Sequence, residues 1–273
     1  MKVVATIEAR TGSTRLPAKV LRPILGQPML GRIIERVGRS RRIDEIVVAT
    51  TRLEQDAAIA ELAGRYGVSA YRGSEEDILD RLFGAVEQSG AGILVSLTGD
   101  NPFIDPALVD DMVDLLTGRE DVDYVATTHM QHADHWSAER TFPTGVTAQV
   151  LYADMVREQH AETADQTLRN LGLFTIYNRA DRRYRLHAMD AAGKYAGWRH
   201  PELRMTVDTP EDFELATQVY ERLYPGNAAF STGEAITLIA GEPLLRDINR
   251  DIRQRLGHEE ASRRTPDDAK GAG

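Results

Sequence analysis

Val3-Val4-Ala5-Thr6-Ile7 runs almost directly into Arg10-Thr11-Gly12-Ser13-Thr14-Arg15-Leu16-Pro17-Ala18-Lys19. An apolar, β-branched run followed by a loop of this kind reads as the first strand of a buried parallel sheet, residues 2–7, and the turn that leaves it. Open α/β sheets bind ligands in the crevice beyond the carboxyl ends of their strands. Three cations lie within ten residues there, interleaved with small and hydroxylated residues. Gly12 lets the backbone approach a ligand, Ser13 offers a further donor, and Arg10, Arg15 and Lys19 supply the charge a polyphosphate needs. The alternative is a solvated basic loop joining strand to helix. The placement and the small residues favour a nucleoside triphosphate.

Outward from this loop, β-rich runs alternate with helix-period segments, which predicts an α/β fold with a mostly parallel central sheet flanked by helices. Strands are expected over residues 43–50, 68–71, 92–97 and 123–128, with helices over 29–39, 54–66 and 75–88. Asp105 is the expected N-cap of a helix opened by Pro106. Beyond residue 128 the alternation loosens. Residues 129–141 read as a polar loop, 145–151 as a strand, 153–171 as mostly helix, and 174–177, 184–189 and 202–207 as further strands. Pro210 opens another helix and Ser231 caps a last one through Ile239. Residues 257–273 are small, charged and aperiodic, an expected disordered tail after a single domain over 1–256.

The 273 residues are 42% hydrophobic but hold only 6 Phe and 2 Trp, so the core is expected to be aliphatic. A net charge of −9 argues against nucleic acid as a partner, and makes the basic clusters sites for small anions. The absence of cysteine excludes disulfides, thiolate metal sites and cysteine nucleophiles. No apolar run approaches the roughly 20 residues of a membrane span and no leader precedes the first strand, so a soluble cytoplasmic protein without membrane contact is expected.

Two aspartates sit at strand ends. Asp100 follows a buried strand in Thr98-Gly99-Asp100-Asn101-Pro102, and Asp208 ends Arg204-Met205-Thr206-Val207 before Thr209-Pro210. Alone, the first reads equally as an Asx-turn residue and the second better as a helix N-cap. Beside a triphosphate loop both point towards Mg²⁺, which takes one or two carboxylates plus phosphate oxygens. His129, His132 and His135 with Asp134 could bind a transition metal, but a solvated loop explains their spacing better. Trp136 and Trp198 read as half-buried core residues.

These residues carry a resemblance. Residues 10–19 with Val20-Leu21, the run Arg72-Gly73-Ser74-Glu75-Glu76-Asp77-Ile78-Leu79-Asp80-Arg81, residues 98–106, Phe142-Pro143-Thr144-Gly145 and residues 204–212 resemble five blocks, in family order, of the cytidylyltransferases that make CMP-sugars. That group includes the acylneuraminate and 3-deoxy-manno-octulosonate enzymes and the SpsF-type proteins of spore coat polysaccharide synthesis. The resemblance implies a Rossmann-like, GT-A-like nucleotidyltransferase fold with a smaller acceptor-binding or dimerisation insertion over 129–200. It implies transfer of CMP from CTP to a small sugar or sugar acid, with release of pyrophosphate, and a homodimer as a relative's habit. By the same resemblance Lys19 and Arg15 grip the triphosphate with Gly12, Ser13 and Arg10 close by, Arg72, Ser74 and Thr98 lie near the nucleotide, and Asp100 and Asp208 hold Mg²⁺. Loss of either carboxylate is then expected to remove activity with little loss of fold.

The sequence departs from the family's pattern on the acceptor side. Thr147 and Gln149 stand where acidic residues are usual, and Gln166-Thr167-Leu168-Arg169-Asn170 replaces a Glu-His-Val-Thr-Pro-like segment. A phosphorylated or phosphonate acceptor, or a nucleotide-binding homologue without turnover, stay open as alternatives. A glycosyltransferase of the same fold lacks its Asp-x-Asp motif here, since Asp100-Asn101-Pro102 does not supply one.

Overall fold

The computed structural model of the chain describes residues 1–127, 140–177 and 183–253. In chain order these form β1 (Val3–Glu8), a small hairpin of β2 (Pro23–Ile24) and β3 (Gln27–Pro28), α1 (Met29–Val37), β4 (Glu45–Thr51), α2 (Ala57–Arg65), β5 (Ser69–Gly73), α3 (Ile78–Ser89), β6 (Ile93–Thr98) and α4 (Pro106–Gly118). The second half adds β7 (Tyr124–Ala126), β8 (Gln149–Tyr152), α5 (Ala153–Glu162), α6 (Gln166–Arg169), α7 (Phe174–Tyr177), β9 (Leu186–Ala188), α8 (Pro210–Leu223), α9 (Thr232–Gly241) and α10 (Pro243–Arg246).

The sheet order is β5-β4-β1-β6-β8-β7-β9. β1 pairs in parallel with β4 and with β6, and β4 in parallel with β5. The chain therefore winds outward from β1 through β4 to β5, then returns to place β6 on the other side of β1. That reversal is a topological switch point, where an open sheet leaves a crevice between two strand ends. The loops leaving β1 and β6, which carry Lys19 and Asp100, flank it. β8 joins β6 and β7 antiparallel, and β9 runs parallel to β7, so the sheet is mixed beyond β6.

Alternation along β1 explains why both faces are covered. Val3, Ala5 and Ile7 face a core shared with α1, α2, α4, α8 and α9, while Val4 faces a second one shared with α3 and α5. Side chains like the fully buried Ile7 and Leu94 contribute about 1.5–3 kcal/mol each. Asp105 caps α4 by accepting from the N–H groups of Ala107 (2.9 Å) and Leu108 (3.1 Å), as expected. Ser231 caps α9 in a reciprocal box with Glu234.

Four expectations in the second half need correction. Residues 174–177 are helical, not a strand; a short apolar run does not distinguish the two by periodicity. Residues 153–171 split into α5 and α6, with Asp165 capping the second. The strand expected over 145–151 begins only at Gln149. Residues 202–207 form no ladder strand; Arg204 makes a single parallel bridge to Thr144. The histidines 129, 132 and 135, Asp134, Trp136 and the tail 257–273 lie outside the described residues.

That bridge matters for the site. Thr144 N–H donates to Leu203 O (2.9 Å) and Met205 N–H to Thr144 O (2.7 Å). Gly145 permits it: its φ is 97°, and a Cβ there would lie 2.7 Å from Met205 C. Gly145→Ala is expected to cost roughly 2 kcal/mol or more through strain and overlap, seen as a lower melting temperature in thermal unfolding. It should also displace the segment that ends in Asp208.

Candidate active site

Thr11 starts the loop after β1 and is tied down at its base. Its N–H and hydroxyl both donate to Asp56 Oδ1, at 2.8 and 2.6 Å, and Thr51 donates to the other oxygen of the same buried carboxylate. Ser13 N–H and Ala18 N–H both return to Thr11 O, which folds residues 11–18 into a compact turn. Ala18 takes a left-handed conformation, φ 53°, and releases the chain into a short 3₁₀ turn, Lys19–Leu21. Lys19 thereby points back under the sheet edge and is buried.

Its ammonium joins the two predicted carboxylates. Lys19 Nζ lies 2.8 Å from Asp208 Oδ1, 3.2 Å from Asp100 Oδ2 and 2.8 Å from Val207 O. Residues 19, 100 and 208, up to 189 positions apart, thus meet at one point. The backbone holds the carboxylates in register, since Val207 N–H donates to Asp100 O at 2.8 Å. Gly99 lets the β6 loop cross β1: a Cβ there would lie 2.9 Å from Glu8 O.

Each carboxylate has its own support. Thr98 donates its hydroxyl to Asp100 Oδ1 (2.6 Å) and accepts from Asn101 Nδ2 (2.8 Å). Asp208 Oδ2 receives Arg15 Nη2 at 3.1 Å and Arg204 Nη2 at 2.7 Å. Arg204 also clamps the fully buried Asp212, which takes the N–H groups of Asp208 and Thr209 and the amide of Asn249. The helix N-cap of α8 is Thr209, in a capping box with Asp212, so Asp208 is not spent on capping. Burial alone would push the Asp208 carboxyl up, but Lys19, Arg15 and Arg204 outweigh it and hold it below the usual range. Conversely, burial pulls the Lys19 ammonium down, and the two carboxylates more than restore it.

The structure also shows what the remaining predicted residues do. Arg10 Nη1 lies 3.7 Å from Glu75 Oε1. Arg72 donates to Thr51 O (3.0 Å) and Leu53 O (2.8 Å), bracing the ends of β4 and β5 at the same sheet edge. Ser74 Oγ accepts from Asp77 N–H in the turn before α3. Gly12 sits across from Glu75, with room for a Cβ 3.6 Å from Oε1. The divergent segment 166–170 packs on the second block, with Arg169 Nε 2.6 Å from Asp77 Oδ2. Gln149 pairs across from Ser96 and takes the hydroxyl of Tyr124.

Sequence reading missed three participants. Glu8, at the end of β1, is half-buried beside Arg81 Nη2 at 3.2 Å; desolvation holds its carboxyl above the usual range, against Arg81 and with Asp100 adding to the rise. Asp56 and Asp212 anchor the two halves of the site. Glu8 and Asp56 reach partners 73 and 45 positions away that no local pattern marks, whereas Asp212 lies in the capping box at the start of α8 and was passed over there.

Among the described residues no cluster of three or more metal-type ligands occurs, and no helix is long and apolar enough to cross a membrane. A sequence profile of the cytidylyltransferase family matches residues 4–236. The spore coat polysaccharide biosynthesis protein SpsF of Bacillus subtilis is 31% identical over 249 residues, 88% of this chain and 95% of that one. The 3-deoxy-manno-octulosonate cytidylyltransferase of Geobacter sulfurreducens is 37% identical over 113 residues, 41% of this chain and 44% of that one. A solved cytidylyltransferase from Leptospira borgpetersenii superposes with a TM-score of 0.80 at 26% identity, covering 94% of this chain and all of that one.

Proposed function

Because this chain belongs to the cytidylyltransferase family, we propose that it transfers CMP from CTP to a hydroxyl of a sugar or sugar acid, for nucleotide-sugar and polysaccharide biosynthesis. One observation carries this reading: the basic turn after β1 and the aspartates 100 and 208 converge on Lys19 Nζ at the switch point of the sheet. The acceptor hydroxyl oxygen attacks the α-phosphorus in line, its proton passes to solvent, the bond to the bridging oxygen of the β-phosphate breaks, and pyrophosphate leaves.

Little covalent chemistry falls to the protein, so positioning and charge neutralisation supply the rate. Lys19 and Arg15 neutralise the departing pyrophosphate. To do so they turn from the carboxylates they now hold towards the phosphates. Thr98 keeps Asp100 oriented, and Arg204 keeps Asp208 in place when Arg15 and Lys19 leave. Arg10, Gly12 and Ser13 line the phosphate side, with Arg72 and Ser74 on the nucleoside side.

The donor set suits Mg²⁺. Two hard carboxylates already share one cation, the Lys19 ammonium, within 3.2 Å. Asp100 and Asp208 would hold the ion, which when bound polarises the α-phosphate and lowers the pKa of the attacking hydroxyl.

The test is to incubate the chain with each nucleoside triphosphate, Mg²⁺ and a panel of sugar acids, and to follow pyrophosphate. Release that depends on CTP and on an acceptor is expected. Release with another triphosphate in preference to CTP, or tight CTP binding with no release for any acceptor, overturns the catalytic reading.

A further inference from the structure

The turn that joins β5 to α3, residues 74–77, is held from two sides. In front, Glu75 faces the basic turn: its Oε1 lies 3.7 Å from Arg10 Nη1 and across from Gly12. Behind, Asp77 Oδ2 receives Arg169 Nε at 2.6 Å. Asp77 fixes the turn at two further points. Its N–H donates to Ser74 Oγ (3.0 Å), and its Oδ1 accepts from Asp80 N–H (2.8 Å) as the N-cap of α3. Arg81 Nη1 donates to Ser74 O (2.6 Å), and Gln166 Nε2 to Glu76 O (3.3 Å). The two ion pairs are unequal. Arg10 and Glu75 are 29% and 37% exposed and far apart for a pair, a contact too wet to hold a loop. Arg169 and Asp77 are 13% and 16% exposed and in short contact, so the rear pair sets the turn.

Arg169 is itself firmly seated. Its Nη1 donates to His160 O (3.0 Å) and Thr163 O (2.9 Å), which closes the carbonyl end of α5. Asp165 caps α6 by accepting from the N–H groups of Thr167 (2.7 Å) and Leu168 (3.2 Å), and so fixes the helical turn that carries Arg169. His160 stacks on Phe83 with ring centroids 3.9 Å apart, and its Nε2 lies 3.1 Å from Asp80 Oδ1. Gly172, with φ 58°, lets the chain after α6 close on α3: a Cβ there would lie 2.7 Å from Ile78 Cγ2. A continuous run of contacts therefore leads from the end of α5 through Arg169 and Asp77 to the turn whose other carboxylate faces Arg10. The segment 166–170, where the sequence leaves the family's pattern, backs the turn on the nucleotide side.

We propose that Arg169 is a positioning residue for nucleotide binding: by holding Asp77 it sets the turn 74–77, and through Glu75 it places Arg10 at the mouth of the triphosphate site. This rests on the cytidylyltransferase reading above. Arg169 makes no contact with CTP in this role and acts through the turn alone.

The full chain is titrated by calorimetry with CTP and Mg²⁺, with no acceptor present. Arg169→Gln should weaken CTP binding about fivefold or more, and Arg169→Lys should recover part of the loss. Asp77→Asn keeps a side-chain oxygen for Asp80 N–H, and so the cap of α3, but removes the charge from the pair. It should weaken CTP binding as Arg169→Gln does, and it carries the test should Arg169→Gln fail to fold. The loss should shrink in an Arg10→Gln background, where the turn has no guanidinium to place. Arg157→Gln is the control. It cuts another tie between α5 and α3, to Glu87 at the opposite end of α3, and should leave CTP affinity within about twofold of wild type. Unchanged CTP affinity in Asp77→Asn, an equal loss in Arg157→Gln, or a loss of the same size with and without Arg10 overturns this inference while CTP uptake stands. A wild-type chain that takes up no CTP overturns the nucleotide reading itself, and this inference with it.

Discussion

Lys19→Met is expected to lower CTP-dependent pyrophosphate release by at least about 10²-fold, the scale of losing one preorganised charge at a developing anion. The same substitution should tighten divalent-metal binding in the absence of nucleotide. Lys19 Nζ stands between Asp100 Oδ2 and Asp208 Oδ1. A second cation entering the free protein must displace it or tolerate it at contact distance. CTP relieves that conflict by drawing the ammonium onto its phosphates, so metal and nucleotide are expected to enter together. Removing the ammonium exposes both carboxylates, and Mn²⁺ titrated by calorimetry should bind Lys19→Met about tenfold more tightly than wild type, or about 1.4 kcal/mol. Unchanged or weaker metal binding by the variant would show that Lys19 is not a placeholder between the carboxylates.

Asp208→Asn and Asp100→Asn should both remove turnover by orders of magnitude, yet differ in stability. For Asp208 this outcome differs from the expectation, drawn from the sequence, that either loss leaves the fold nearly intact. Asp100 is 28% exposed at its side chain, and among the described residues Lys19 is its one ion-pair partner. Asp208 is 12% exposed and faces Lys19, Arg15 and Arg204 together. Taking its charge away leaves three cations crowded without it. Breaking a buried pair costs about 3–5 kcal/mol, which in a chain of this size lowers the melting temperature by on the order of 10 °C. Asp100→Asn should melt within a few degrees of wild type.

The pH dependence gives that contrast a second readout. The folded-state pKa of Asp208 is depressed, so its stabilisation is fully present above the unfolded carboxylate value of about 3.9 and fades as pH falls through the folded value. The stability gap between wild type and Asp208→Asn, measured by urea unfolding, should therefore be widest near neutrality and narrow below about pH 4. A gap independent of pH would assign the cost of the substitution to packing instead of charge.

The first half of the fold was legible because its strands are continuous apolar runs between good helices. β1, β4 and β6 fall within a residue or two of the expected spans, and the caps at Asp105 and Ser231 are where the sequence places them. The second half was less so. Residues 174–177 are too short for periodicity to separate helix from strand, and 202–207 have strand-like composition but pair only through Arg204. In the site, the cations after β1 and Asp100 after β6 were readable from composition at strand ends, while Asp208, also expected at one, follows a segment that forms no ladder strand. The supporting residues were not: Asp56 holds Thr11 from 45 positions away and Asn249 holds Asp212 from 37.

By itself, then, the sequence determined the parallel α/β half, the basic turn, the aspartate that follows β6 and the family, because strand propensity, hydrophobic period and motif order are properties of neighbouring residues. Tertiary structure alone decided that Lys19 seats between the two aspartates, and that Thr209 takes the capping role and leaves Asp208 to the site. Those outcomes follow from side chains brought together across the sheet's switch point, where charge is shared among groups that no local pattern connects.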